Sequence, residues 1–142
     1  MTIENAQYYR EQVKALLEAE NLPVTDLPKN LNNFVVARVN GEIVGVAGLE
    51  VYGGYGLLRS VAVKSSHRGW GIAGKLIDDI VSLGSLKRLS ALYLLTETAP
   101  DYFKNKGFTQ IGREQVPAKV KGSSQFSHVC PLSAIVMKKI IS

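Results

Sequence analysis

Cysteine and histidine are almost absent: the 142 residues hold one Cys, at position 130, and two His. A single thiol cannot close an intrachain disulfide, and beside two scattered imidazoles it offers no metal-ligand spacing, so neither a disulfide nor a metal is expected. Long apolar runs are missing as well. The longest, residues 43–49 and 91–95, fall far short of the roughly 18 residues of a membrane-spanning helix. The start, Met1-Thr2-Ile3-Glu4-Asn5, shows neither the basic nor the apolar region of a secretory signal. These absences lead to the expectation of a cytoplasmic protein with no membrane partner. Acidic residues are the minority, 12 against 17 Lys and Arg, for a net charge of +5. The basic residues are spread along the chain and the six tyrosines form no stacking motif, so the surplus fits an anionic small molecule better than nucleic acid.

What is present is enough apolar sequence, 46% of residues, to fill one continuous core. The length is that of a single domain over residues 1–142. Residues 5–20 place Ala6, Tyr9, Val13, Leu16 and Leu17 at helical spacing, and Asn21-Leu22-Pro23 stops the pattern. Residues 24–33, with one proline and three asparagines, read as a loop. Two strands, 34–39 and 42–52, flank Asn40-Gly41, the dipeptide best suited to a two-residue hairpin. Residues 56–64 are apolar on both faces, as a central strand is. Ile72, Leu76, Ile77, Ile80 and Val81 then mark a helix, 91–96 a strand, 100–106 a short helix, and 108–112 and 134–141 two closing strands. The expected fold is α/β (α+β): a mixed, largely antiparallel sheet of six to seven strands with helices on both faces.

The segment Gly69-Trp70-Gly71-Ile72-Ala73-Gly74-Lys75-Leu76 fits three phosphate-binding patterns. In each, glycines ahead of a helix bring backbone N–H groups close to an anion, and the helix N-terminus adds partial positive charge. As a P-loop it fails, because Leu76 stands where a Ser or Thr must hold magnesium. As a dinucleotide fingerprint Gly69-x-Gly71-x-x-Gly74 fits, and Glu97 lies about 23 residues on. Context argues against it: Lys64-Ser65-Ser66-His67-Arg68 intervenes before the first glycine, which should come almost directly off the strand, and too little chain follows for a second nucleotide-binding half.

The third pattern is Arg68-x-x-Gly71-x-Ala73, between an apolar strand and an amphipathic helix. With Leu58-Arg59-Ser60-Val61-Ala62-Val63 before it, and Tyr102-Phe103-Lys104-Asn105-Lys106-Gly107-Phe108 after, the chain resembles the GNAT superfamily of acetyl-CoA-dependent N-acetyltransferases over about residues 5 to 142. Tyr93-Leu94-Leu95-Thr96 and the tail from Val116-Pro117 through Phe126 to Cys130-Pro131-Leu132-Ser133-Ala134 are similar to the subgroup associated with arsenic-resistance operons, itself akin to amino-acid acetyltransferases of the N-acetylglutamate synthase type. A lone cysteine is no arsenic site; a small buried hydrophobe is its usual role.

The resemblance implies the acyl-CoA N-acyltransferase fold, with acetyl-CoA as cosubstrate and no metal. Backbone groups of Arg68, Gly69, Trp70, Gly71, Ile72 and Ala73, extending to Gly74 and Lys75, would hold the pyrophosphate, with positive charge from Lys64, His67, Arg68 and Lys75. Trp70 has packing on the adjacent helix as its alternative fate. Val61, Ala62 and Val63 would pair through their backbone with the pantetheine arm on a strand splayed from its neighbour, and the Val61 N–H would polarise the thioester carbonyl.

Glu50 is the candidate base; simple alternation puts it on a face with Val44 and Val46, opposite Ile43, Ala47 and Leu49, at a partly buried strand end. Its alternative is a solvated or arginine-paired glutamate. Arg59, inside a buried strand, needs either a bulge that turns it outward or an anionic partner, for which a substrate carboxylate or Glu50 would serve. Thr96, Glu97 and Thr98 are acceptor contacts or edge caps, and residues 114–133 would cross the acceptor end. The family's acid tyrosine sits four residues before the glycine of Gly-Phe, where this chain has Phe103. Tyr102, one residue earlier, points about 100° away on a helix, so Tyr102 or water protonates the leaving thiolate.

The implied function is acetyl transfer to a small, amino-acid-like amine in a ternary complex, with specificity from loops or a dimer partner. A non-catalytic acyl-CoA-binding module and a protein-lysine acetyltransferase are the alternatives.

Overall fold

A computed structural model describes residues 1–126 and 132–142. Seven strands, β1 (Thr2–Asn5), β2 (Phe34–Val39), β3 (Glu42–Tyr52), β4 (Tyr55–Val63), β5 (Ala91–Thr96), β6 (Thr109–Ile111) and β7 (Ile135–Ile140), form one sheet in the order β1-β2-β3-β4-β5-β7-β6. Every neighbouring pair is antiparallel except β4 and β5. Helices α1 (Arg10–Ala19), α2 (Ile72–Leu86), α3 (Pro100–Asn105) and α4 (Ala118–Lys121) pack against it. Ile72, Leu76, Ile77 and Ile80 of α2 bury against Leu58, Leu92 and Leu94. Val13, Leu16 and Leu17 of α1 meet Phe34, Val36 and Val46 in a separate cluster, and Val120 of α4 joins Leu57 and Tyr93 in another. Alternation along β5 puts α2 on one face and α4 on the other. This is the mixed, largely antiparallel sheet that the patterning predicts. Among the described residues no helix is long and apolar enough to cross a membrane.

The N-terminus differs from expectation. Residues 2–5 are an edge strand on β2, and the helix begins only at Arg10. Four residues are too few for a strand period to show, and tertiary partners decide the outcome: Asn5 Nδ2 donates to the Asn32 carbonyl at 2.6 Å, and Glu4 accepts from Arg38 at 3.1 Å. Asn40 and Gly41 turn the β2–β3 hairpin with φ +51° and +79°.

Two bulges break the strand alternation. Ala37 pairs with Gly45 and Arg38 with Ile43, which leaves Val44 as the extra residue. Val44 therefore packs with Ala47 and Leu49 toward α2, while Val46 and Ile43 face α1. The expected grouping of Glu50 with Val44, against Ile43, is corrected accordingly. In β4, Ala62 pairs with Val46 and Arg59 with Gly48, so Ser60 and Val61 together stand opposite Ala47. Ser60 takes φ +57° there.

Candidate active site

β4 and β5 pair only at Tyr55–Ala91, Gly56–Leu92 and Leu57–Tyr93. Beyond Leu57 the strands separate, and a cleft of about 1150 Å³ opens between residues 58–63 on one side and 94–99 on the other. A strand that loses its neighbour keeps backbone groups with no ladder partner along that edge. At the bulge two β4 residues face one on β3, which interrupts that ladder.

At the mouth of the cleft a 3-10 turn (Ser65–His67) leads into Arg68, then Gly69 at φ +83° and Gly71 at φ +75°. A Cβ at either glycine would touch nothing within 4 Å, so the glycines serve backbone handedness and not space. The first bond of α2 runs from the Lys75 N–H to the Gly71 carbonyl at 3.3 Å, and no side chain caps the helix. Ile72, Ala73 and Gly74 thus present first-turn N–H groups without helical partners at the positive end of a 15-residue helix. An unpaired strand edge and an anion-binding helix end in one cleft suit a long ligand with a phosphate group and amides, which the cleft is large enough to take.

Of the four cations foreseen around this loop, only Arg68 lines the cleft, and its Nη2 donates to Glu20 beyond the end of α1. Lys64 is turned to Glu42, whose carboxyl is held below its usual range by that hydrogen bond and charge. His67 sits edge-on to Trp70 with ring centroids 4.5 Å apart, and Lys75 is exposed on α2. Trp70 itself is 60% exposed.

Arg59 is buried, and of its expected alternatives the anionic partner is the one found. A bulge follows it, yet its guanidinium stays inside and is met by carboxylates. Nη2 lies 2.9 Å from Asp26 Oδ1, Nη1 lies 3.0 Å from Asp26 Oδ2, and Nη1 lies 3.4 Å from Glu50 Oε1. With side chains only 1% and 6% exposed, Arg59 and Asp26 form a desolvated fork-to-fork pair. The anionic partner is thus first Asp26 and then Glu50, both from the chain itself. Gln125 Nε2 donates to Asp26 Oδ2 at 2.8 Å.

Glu50 is half-buried and opens not on the main cleft but on a smaller cavity of about 270 Å³ beside Asn30, Asn33, Phe34 and Tyr52. Arg59 touches Glu50 and also lines the main cleft. Beside Glu50, the Tyr52 hydroxyl is pushed up to about 12, by burial first and by the Glu50 charge second.

Thr96 is buried at the cleft wall, where its Oγ1 accepts the Ala99 N–H at 3.1 Å and caps the turn into α3. Glu97 and Thr98 line the same wall. Tyr102 is 40% exposed, edge-on to Phe103 at 5.5 Å, and its hydroxyl lies 3.7 Å from where a Gly74 Cβ would be. That places it against the first turn of α2. Phe103 turns inward onto Phe108. Cys130 lies outside the described residues.

No local sequence signal marks Asp26, Glu20 or Tyr52, whereas Gln125, which lines the cleft, falls in the 114–133 segment expected at its acceptor end. Arg59 in an apolar strand announces an anionic partner, but the partner's position is a matter of tertiary folding.

The chain belongs to the GNAT acetyltransferase family: residues 30–110 match the acetyltransferase (GNAT) domain. Over its full length, and the full length of the other chain, it is similar to Rv2747 from Mycobacterium tuberculosis, solved in complex with CoA and NLQ, at 25% identity and a TM-score of 0.82. It shares the fold of N-acetylglutamate synthase from Neisseria gonorrhoeae, solved with coenzyme A and N-acetyl-glutamate, at 16% identity and a TM-score of 0.84. That match covers 99% of this chain and 35% of the synthase. A GNAT-family acetyltransferase from Staphylococcus aureus Mu50 matches over 99% of both chains at 20% identity and a TM-score of 0.79.

Proposed function

We propose that the protein is a cytoplasmic acetyl-CoA-dependent N-acetyltransferase that acts on the primary amine of a small, amino-acid-like acceptor by direct attack in a ternary complex. The observation that carries this reading is the opening of β4 from β5 beside the uncapped start of α2, within one cleft. Acetyl-CoA supplies an activated acyl group as a thioester. The backbone of residues 68–73 and the first turn of α2, with Arg68, bind its pyrophosphate. The β4 edge at Val61, Ala62 and Val63 pairs with the pantetheine amides, and the Val61 N–H stabilises the charge that develops on the carbonyl oxygen. Tyr102, against α2, contacts the coenzyme arm.

Glu50 accepts the amine proton through water, because Arg59 stands between its carboxylate and the cleft. Thr96 borders the acceptor. Protonation of the leaving thiolate by Tyr102 or water is a small burden: with a thiol pKa of about 8.5, the thiolate lies only about 2 kcal/mol above its protonated form at pH 7. An α-amino group near pKa 7.8 is roughly 10% neutral at that pH, against less than about 0.1% for a lysine amine. Modest acid–base equipment therefore favours α-amino acceptors. Thermal shift tests the cosubstrate: acetyl-CoA and CoA should each raise the melting temperature and NADH should not.

A second reading, a non-catalytic acyl-CoA-binding module, draws on the placement of Glu50 outside the main cleft and of Tyr102 against Gly74. It predicts coenzyme binding with no amine-dependent thiol release.

A further inference from the structure

Ser60 lines the cleft in a constrained conformation. It holds φ +57°, a left-handed backbone that costs a serine free energy, where β4 has already left β5. Its side chain is tied in place, because Arg59 Nε donates to Ser60 Oγ at 2.9 Å. Arg59 is tied in turn by a residue of the α1–β2 loop. Both Asp26 carboxylate oxygens accept from it at 2.9 and 3.0 Å, and the Asp26 carbonyl accepts at 3.1 Å. Parallel bonds between a guanidinium and a carboxylate fix the plane of the guanidinium as well as its place. A fixed plane fixes the direction of the Nε–H, and with it the Ser60 side chain. Gln125 holds the same Asp26 oxygen at 2.8 Å from the segment after α4.

We propose that Asp26 is a positioning residue for acetyl transfer: acting through Arg59, it holds the Ser60 bulge in the shape that turns the Val61 N–H into the cleft. The proposal rests on the reading of this cleft as an acetyl-transfer site. Asp26 is not among the residues that line the main cleft, and its side chain bonds to Arg59 and Gln125, so its removal should act on turnover and not on coenzyme binding.

Asp26→Asn keeps the shape of the side chain and removes its charge and half of its fork. Expected is a fall of about tenfold or more in kcat for amine-dependent thiol release, with the Kd for CoA near the wild-type value. Adding Ser60→Gly should recover a large part of that loss, because glycine holds a positive φ unaided. Hydrogen exchange at the Val61 amide should be faster in Asp26→Asn, a readout that needs no turnover. Wild-type kcat in Asp26→Asn, an equal loss in coenzyme affinity, or no recovery on adding Ser60→Gly would each overturn the proposal. If Asp26→Asn does not fold, Arg59→Lys keeps the ion pair and lacks the Nε donor to Ser60, and the same outcomes apply to it. A wild-type protein that binds CoA but releases no thiol with any amine refutes the acetyl-transfer reading alone; the exchange measurement then still decides whether Asp26 holds the bulge.

Discussion

Arg68, in the loop ahead of α2, donates to the carboxylate of Glu20 just beyond α1, so that an ion pair spans the mouth of the main cleft. The Arg68 side chain is 59% exposed, and pairs of that kind are worth about 0–1 kcal/mol. On the proposed binding mode, a pyrophosphate at the α2 terminus would compete with Glu20 for the same guanidinium. Glu20→Gln should therefore tighten CoA binding about two- to fivefold, and Arg68→Ala should weaken it and flatten its salt dependence. Calorimetric titration at low and high salt measures both. An unchanged Kd in Glu20→Gln would show that Arg68 does not engage the coenzyme.

Arg59→Met leaves Asp26 and Glu50 facing each other without the cation that joins them. Breaking a buried pair in this way costs about 3–5 kcal/mol, on the order of a 10 °C fall in Tm for a chain of this size. Thermal denaturation at neutral pH checks it, and a shift of only a degree or two would mean that solvent reaches the site.

Two glycines should fail for different reasons. At Gly71 a Cβ meets nothing, but φ is +75°, so Gly71→Ala should cost about 1–2 kcal/mol of backbone strain and weaken CoA binding. At Gly48 a Cβ would stand 2.4 Å from the Phe34 ring, so Gly48→Ala should lose about 1–3 kcal/mol by overpacking, with coenzyme affinity retained in the folded fraction. Chemical denaturation combined with CoA titration separates the two.

Tyr52 carries a pH signature. Its hydroxyl ionises near 12 in the folded chain, against the ordinary 10.0, because burial and the Glu50 charge disfavour the phenolate. The folded state thus holds this proton more tightly than the unfolded state. Its contribution is fully present below about pH 10 and is lost as pH rises through about 12. An ultraviolet titration should show one late tyrosine, and Tyr52→Phe should remove it.

Much of the fold is legible before any coordinates. The Asn40-Gly41 turn, the apolar run of 91–96 and the spacing from Ile72 to Val81 each carry a local period or turn chemistry, and each becomes the element expected. The glycine-rich loop is legible too, since glycine takes the handedness found at positions 69 and 71 at the least cost. Illegible are the features that depend on pairing across the chain. β1 is too short to show a period, and the bulge at Val44 reverses a face that alternation assigns otherwise. Arg59 illustrates the boundary. Its residue type and setting demand a buried anion, but Asp26 lies in a loop 33 residues earlier, and only folding brings the two together.

Thiol release from acetyl-CoA across a panel of α-amino acids and other small amines, with wild-type protein and with Glu50→Gln, tests acetyl transfer most directly. Expected is release that depends on the amine, strongest for α-amino acceptors, and lower by about 10²-fold or more in Glu50→Gln. Tight CoA binding with no amine-dependent release from the wild-type protein would contradict it.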